Sequence, residues 1–503
     1  MKQLIHSGVL IPKRYEAKGF HITIKGDKKA LTPHQEEMAV AWVKKLGTDY
    51  VKDPVFRKNF FHDFSDALGM SDKTLSPEDF GFSEIITIVE RERQIKANLS
   101  KEEKKRQAQE RKAIREANKE KFGFAIIDSI RTEVGNYTVE PPSIFMGRGK
   151  HPLRGRWKPY VSENDIILNL PPDAPRPSGN WKEIVWQPDS MWIAKWDDKL
   201  GGKEKYIWLS DSSYVKQEKD IEKFDKSREL ANKINELRTH ISNNLLSKDV
   251  KRRKVATVSY LIDALKLRVG DEKDPDEADT VGATTLRPSH VRINSGGTVI
   301  FDFLGKDSVR WRKEVVLPAE VVKNVESFKS EAQLTIFEGI RSEHVNSFLS
   351  EVMQGLTAKV FRTYHASEVV KNFLEKANVS ASAPLLVKKH VATMANLEAA
   401  IVCNHKRKPP KNWKESLTKK IERLNALRKS PKKTKSFKER VQALQLKIKE
   451  VTATRDYNLR TSLKSYIDPS IYYSWGKSIE FDWKLYYPKT LQSKFSWVEK
   501  QKV

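Results

Sequence analysis

The string Gly305-Lys306-Asp307-Ser308 has the ending of a phosphate-binding loop, which makes it the first place to look for nucleotide chemistry. Such a loop needs a second glycine five residues earlier, so that its backbone N–H groups turn onto phosphate. Position 300 is an isoleucine. No GxGxxG follows a strand-like run either, so ATP and dinucleotides have no site. Metal chemistry fares no better. Residues 271–279 (DEKDPDEAD) are acidic but lack the glycine and distal glutamate of a calcium loop. There is no HExxH among the 11 histidines, and a single cysteine excludes a cysteine-based zinc or iron–sulfur centre. Cys403 and His405, two positions apart, would point to different sides of a helix and form no thiol–imidazole pair. A buried thiol is the better account of Cys403. The sequence predicts no cofactor and no metal.

What remains is a scatter of polar residues at the ends of well-formed elements. Val255, Val258, Ile262, Leu265 and Val269 form a helical stripe that ends at Gly270, with Arg268 in its last turn. Residues 298–304 (TVIFDFL) read as a strand and 308–317 as its partner, which places Lys306 at a hairpin tip. In GLTAKVFRTYHAS, Lys359 and Arg362 are three apart and share a helix face. Met394, Leu397 and Ile401 mark a helix that must stop before Pro409, with His405 in its last turn. Tyr466 lies in SLKSYIDP, just ahead of a helix start at Asp468-Pro469. Singly, each has an ordinary explanation: surface arginines, a hairpin lysine, a helix-end histidine, a core tyrosine. On these residues alone the chemistry stops at a basic DNA-binding protein.

The elements that carry them belong to a chain of 503 residues, roughly three domains' worth. Lys and Arg number 93 against 66 Asp and Glu, and the net charge of +27 points to a polyanion partner, nucleic acid first. No apolar run approaches the ~18 residues of a membrane span, and the stretch MKQLIHSGVLIPKRY is no secretory signal, so a soluble intracellular protein is expected. The charge is concentrated. Between Lys406 and Glu450 there are 17 Lys or Arg against 4 Glu. There, Trp413, Leu417, Ile421, Leu424 and Leu427 recur at helical spacing, as do Phe437, Val441, Leu444, Ile448 and Val451. Asn412 with Glu415, and Ser436 with Glu439, predict capping boxes, and Pro431 separates the runs. The pattern predicts a basic antiparallel helical hairpin. A second charged helix, about 101–121, is predicted to start at Ser100 with Glu103 and stop at Gly123, as a solvent-exposed connector. Residues 160–210, with Trp181, Trp186, Trp192, Trp196 and Trp208 among Pro and Gly breaks, read as strands and turns. Helices dominate from about 218.

Several strings then decide more than periodicity does. LRVGDEK, FDFLGKDSVR, GLTAKVFRTYHAS, IVCNHKRKPP and SYIDPS resemble, in order and separation, the active-site blocks of the eukaryotic-type DNA topoisomerase I family, type IB. FRKNFFHDF, SKEEKK and VEPPSIFMGRGKHP extend the resemblance towards the N-terminus. The chain resembles a compact, archaeal-like member. The resemblance implies an α+β multidomain clamp. In it, 1–213 is a DNA-binding cap of two subdomains, 214–408 the mainly helical catalytic core, 409–455 the basic two-helix linker and 456–503 the C-terminal domain. It implies that Tyr466 is the nucleophile, that Arg268, Arg362 and His405 hold the non-bridging phosphate oxygens, and that Lys306 protonates the departing 5′ oxygen. DNA contacts are implied for Arg148, Lys205, Tyr206, Lys223, Thr280, Asp307, Thr357 and Lys359. The implied activity is ATP-independent relaxation of supercoils in double-stranded DNA by a monomer. Ser465 departs from the family pattern, in which many members carry Asn before the tyrosine. The competing expectations are a tyrosine recombinase with the same residue set, and a non-enzymatic basic scaffold.

Overall fold

The computed structural model describes residues 1–70, 75–147, 149–270, 281–294, 297–305, 309–429 and 435–500. The described residues fall into two compact units, one up to Lys216 and one from Gln217 onward. The break lies within the first turn of a long helix, Tyr214–Asn244.

The first unit has two hydrophobic centres. In FRKNFFHDF, helical spacing puts Phe56, Phe60, Phe61 and Phe64 on one buried face of the Pro54–Ala67 helix, which Asp53 caps. Trp42 of the Pro33–Val43 helix stacks on Phe60 with ring centroids 4.6 Å apart. The second centre lies under strands. Leu4–His6 pairs with Phe124–Ile127, which pairs with Ile130–Glu133, and a four-stranded sheet runs Glu183–Val185, Ile167–Asn169, Trp192–Asp197, Glu204–Trp208. Trp192 and Trp196 are buried there, while Trp208 is exposed. The chain crosses between the two centres in the Lys101–Phe122 helix, which buries none of its residues and starts in the expected Ser100–Glu103 capping box.

In the second unit, Leu230, Ile234, Leu237 and Ile241 of the long helix join a core built with the Val250–Leu265 helix and a three-stranded antiparallel sheet. That sheet runs Val291–Ile293, Thr298–Gly305, Val309–Val316, and its register pairs Gly305 with Val309. A second core joins Phe224 to the Leu385–Val402 helix and the C-terminal residues from Leu463. The Ala358–Lys376 helix serves both. Ala358, Val360 and Phe361 enter the first core, and Ala366, Val370 and Leu374 the second.

Two helices, Trp413–Arg428 and Lys435–Ala453, pack on each other as the predicted basic hairpin. Trp413 donates its indole N–H to the carbonyl of Val451 (3.2 Å), closing the base. Their seam is shallow, with Leu424 buried but Ile421 exposed. Asn412 stands at the N-cap without the expected side-chain cap bond, and the side chain of Ser436, the other predicted cap, lies outside the described residues. No helix among the described residues is long and apolar enough to cross a membrane.

Candidate active site

Arg362 stands where the two cores of the second unit meet, and only 6% of it is exposed. Its Nη1 donates to the Lys266 carbonyl (2.6 Å) and its Nη2 to the Cys403 carbonyl (2.7 Å). Those two residues are the C-caps of the Val250–Leu265 and Leu385–Val402 helices, so the guanidinium neutralises two negative helix ends at once. Its Nε is buried and has no hydrogen-bond partner among the described residues. Lys359, three residues earlier, is exposed, so the predicted common face is split between solvent and core.

The helix ends differ from their predicted positions for a shared reason. Lys266 adopts the left-handed conformation (φ 60°) and ends its helix four residues before Gly270. Arg268 therefore lies outside the helix, not in its last turn. Val269, the last residue of the stripe, still packs against the core, which is why the apolar stripe runs on past the true end. The chain next passes residues 281–284, with Ala283 N–H bound to the Arg268 carbonyl (2.8 Å) and Thr284 N–H to that of Val269 (2.7 Å). A Cβ on Gly282 would come within 2.4 Å of the Gly270 nitrogen, so the two segments approach this closely only with glycine there.

His405 likewise follows its helix. Asn404 takes the left-handed conformation (φ 52°), its N–H binds the Ile401 carbonyl (3.0 Å), and His405 N–H binds that of Ala400 (2.8 Å). This Schellman pairing fixes the histidine backbone just beyond the helix end. The buried face of that helix is only partly the predicted one. Leu397 is buried as expected and Ala392, Ala395 and Ala399 line the core, while Ile401 is exposed.

The imidazole Nδ1 lies 2.7 Å from Ser462 Oγ, and Nε2 lies 3.5 Å from Arg362 Nη2. Ser462 belongs to the short Leu459–Ser465 helix, whose C-cap is Tyr466. The phenol ring of Tyr466 is 5.0 Å from the imidazole, centroid to centroid, and the Arg362 guanidinium carbon stands 5.1 Å over it. Ser367 donates to the Tyr466 carbonyl (3.4 Å) and accepts from Asp468 N–H (3.0 Å), while Asp468 caps the following Pro469–Ser478 helix. The tyrosine is thus gripped on both sides along the chain and by its ring.

Arg268, Arg362 and His405 line one cavity of about 130 Å³, together with Gly282, Trp311 and Thr461. Gly305 and Val309, the paired strand residues on either side of 306–308, line it too. Burial, with Arg362 and Arg268 nearby, pushes the His405 imidazole down to about 3. The ring is therefore neutral at physiological pH. Because its folded pKa lies below the unfolded value, protons favour the unfolded chain as pH falls below about 6.5, and that loss is complete only below the folded pKa. In an NMR titration of the free protein, His405 should stay neutral from pH 8 to 5; a midpoint near 6.5 would contradict this environment.

An ionic cluster, largely buried at Asp263 and His365 and exposed at Arg238, supports the helix that ends at Lys266. His365 lies 2.7 Å from Asp263 Oδ1, and Arg238 Nε donates to Oδ2 (2.8 Å). Burial alone would raise the Asp263 carboxyl, but His365 and Arg238 outweigh it and hold it at about 2. The His365–Asp263 contact ties the helix of Arg362 to the helix that ends at Lys266. Nothing in the residue spacing signals this cluster or Ser462, because all depend on which helices pack.

The remaining residues singled out from the sequence are scattered. Lys306, Asp307, Thr280 and Arg148 lie outside the described residues. Thr357 is the N-cap of the Arg362 helix, without a side-chain cap bond. Lys223 donates to Asp220 (2.8 Å) and lies over the Phe224 ring, and burial lowers its pKa despite that partner. Lys205 and Tyr206 sit on the Glu204–Trp208 strand of the first unit, where Lys205 faces Asp198 (3.5 Å) and Tyr206 donates to Glu204. Among the described residues, the one set of side chains spaced to hold a metal is His62, Asp63 and Asp66 of the first unit. Asp63 is already engaged by Arg156 (2.8 Å) and the Trp157 N–H (2.7 Å).

A cavity lined by two arginines and a neutral histidine, with a tyrosine ring packed on that histidine and one of the arginines, is a site with the donors to hold an anionic oxygen. Comparison with known families agrees. Residues 212–438 match the family model for the catalytic core of eukaryotic DNA topoisomerase I, 1–209 that for its DNA-binding fragment, and 438–503 that for the C-terminal topoisomerase domain. Among curated relatives, DNA topoisomerase 1 beta of Arabidopsis thaliana is 34% identical over 99% of this chain and 58% of its own length. DNA topoisomerase 1 of Candidozyma auris is 37% identical over 84% of this chain and 57% of its own. DNA topoisomerase 1 of Homo sapiens is 33% identical over 99% of this chain and 70% of its own. The chain belongs to the eukaryotic-type DNA topoisomerase I family. It spans between about half and 70% of the length of the curated relatives it matches.

Proposed function

We propose that this chain relaxes positive and negative supercoils in double-stranded DNA as a type IB topoisomerase, with Tyr466 as nucleophile and without ATP. The observation that supports this most is the contact of the Tyr466 ring with both Arg362 and His405, beside the cavity that Arg268 lines. In this reading the Tyr466 hydroxyl releases its proton to solvent as its oxygen attacks a backbone phosphorus, the bond to the 5′ oxygen breaks, and the 3′ end becomes a phosphotyrosine. Negative charge grows on the equatorial oxygens, where two forked guanidiniums and the neutral His405 donor stabilise it. Lys306 supplies the proton to the departing 5′ oxygen. The phosphotyrosine ester retains the energy of the broken bond, so reversal reseals the strand after rotation.

The reading assigns 1–213 to a cap over the duplex, with Arg148, Lys205 and Tyr206 as contacts, 214–408 to the catalytic core, 409–455 to a linker that steers rotation, and 456–503 to the tyrosine domain. Thr280, Asp307, Thr357, Lys359 and Lys223 are its further DNA contacts in the core. It makes the chain a monomeric, intracellular, DNA-associated enzyme. The net charge of +27 then predicts binding that weakens steeply with salt. Mixing the protein with duplex DNA and quenching with detergent should leave a covalent adduct at a 3′ phosphate, mapped by mass spectrometry to the peptide holding Tyr466. An adduct at the 5′ end, or on another residue, would overturn the assignment.

A further inference from the structure

Ser462 is fully buried, and its hydroxyl has one side-chain partner among the described residues, Nδ1 of His405 at 2.7 Å. A hydroxyl has a single hydrogen, and a buried one without an acceptor is costly. Were Nδ1 the donor, the Ser462 hydrogen would have no acceptor among the described residues; were Nδ1 the acceptor, the Ser462–Nδ1 pair is satisfied, and the one N–H left open, that of Nε2, faces the cavity. We infer that Ser462 is a positioning residue that donates its hydroxyl hydrogen to Nδ1 and so fixes the proton of the neutral His405 on Nε2.

The consequence appears on the other side of the ring. Nε2 lies 3.5 Å from Arg362 Nη2, at the outer limit of a hydrogen bond. With Nε2 protonated, these are two donors side by side on the wall of the cavity that Arg268 also lines. Two donors without a shared acceptor are an arrangement that an anionic oxygen completes. Both are held from behind, Arg362 Nη2 by the Cys403 carbonyl at 2.7 Å and the imidazole by Ser462. The opposite tautomer would turn a lone pair towards the cavity and repel the same oxygen. The Ser462 backbone reinforces the link, because its carbonyl accepts the N–H of Tyr466 (2.9 Å) and of Ile467 (3.1 Å). One residue therefore sets the donor face of the histidine and the chain position of the tyrosine. This deepens the proposed function and rests on it for the nature of the anion.

The test has two arms. In the first, nitrogen-15 NMR of the free protein reads the His405 tautomer without any DNA. The native chain should show the Nε2–H form, and Ser462→Ala a shift towards a mixture with Nδ1–H; a native Nδ1–H form would overturn the inference. In the second, single-turnover DNA cleavage is measured for Ser462→Ala, His405→Gln and the double variant. The glutamine side chain offers an N–H donor that does not tautomerise. Ser462→Ala should therefore slow cleavage about tenfold in the native background, and hardly at all when added to His405→Gln. Equal losses in both backgrounds would show that Ser462 merely holds its helix in place, and would overturn the role assigned to its hydroxyl. A native chain that shows the Nε2–H form yet never cleaves DNA would sink the proposed function and leave the tautomer assignment standing.

Discussion

Tyr466→Phe is expected to abolish strand cleavage and supercoil relaxation, a loss of about 10³-fold or more, while leaving folding and DNA binding intact. The hydroxyl makes no hydrogen bond to any described residue, and what positions the side chain is its ring, packed at 5.0 Å on His405 and 5.1 Å under Arg362. Phenylalanine keeps the ring and loses only the oxygen that would bond to phosphorus. Thermal unfolding should therefore match the native chain within about 1 kcal/mol, since no buried group is left unpaired. Retained cleavage would move the nucleophile elsewhere. A collapse in stability would mean that the oxygen has a structural partner.

Arg362 is expected to behave differently, because it carries both structure and chemistry. Arg362→Ala leaves the Lys266 and Cys403 carbonyls without their donor at two helix ends, one half-buried and one buried, and should cost about 2–4 kcal/mol of stability. Arg362→Lys separates the two roles. It keeps a positive charge in the seam, yet an ammonium cannot span both carbonyls and present further donors in one plane. Cleavage by the Lys variant should fall about 10²–10³-fold, with a smaller loss of stability than Ala. Denaturation curves alongside single-turnover cleavage check both. A Lys variant with native rates would mean that a point charge suffices and that the forked geometry is irrelevant.

Much of this architecture is legible in the residues. The connector helix from Lys101 is announced by its capping box, and the basic hairpin by two apolar stripes separated by Pro431. The strand pair around 298–316 follows from alternation. Helix ends are less legible where the stop is a left-handed residue other than glycine. Lys266 and Asn404 carry no such signal, and Val269 prolongs the stripe by packing against the core from outside the helix. The Asn412 cap of the basic hairpin differs from expectation because side-chain spacing shows where a cap is possible, not where the side chain meets the backbone. The candidate site lies further from view. Residues 268, 362, 405 and 466 are brought together by packing of separate helices, which no local pattern encodes, and the family resemblance rather than periodicity groups them. Even that resemblance does not reveal Ser462 or the Asp263–His365–Arg238 cluster, which act through the residues it names.

The most direct measurement is relaxation of negatively and positively supercoiled plasmid by the full chain in EDTA, without ATP. Relaxation of both signs, with strand breaks joined to protein at 3′ ends when the reaction is quenched, is the predicted result. Tight, salt-sensitive binding that leaves both topoisomers unchanged would contradict it and reduce the chain to a DNA-binding scaffold.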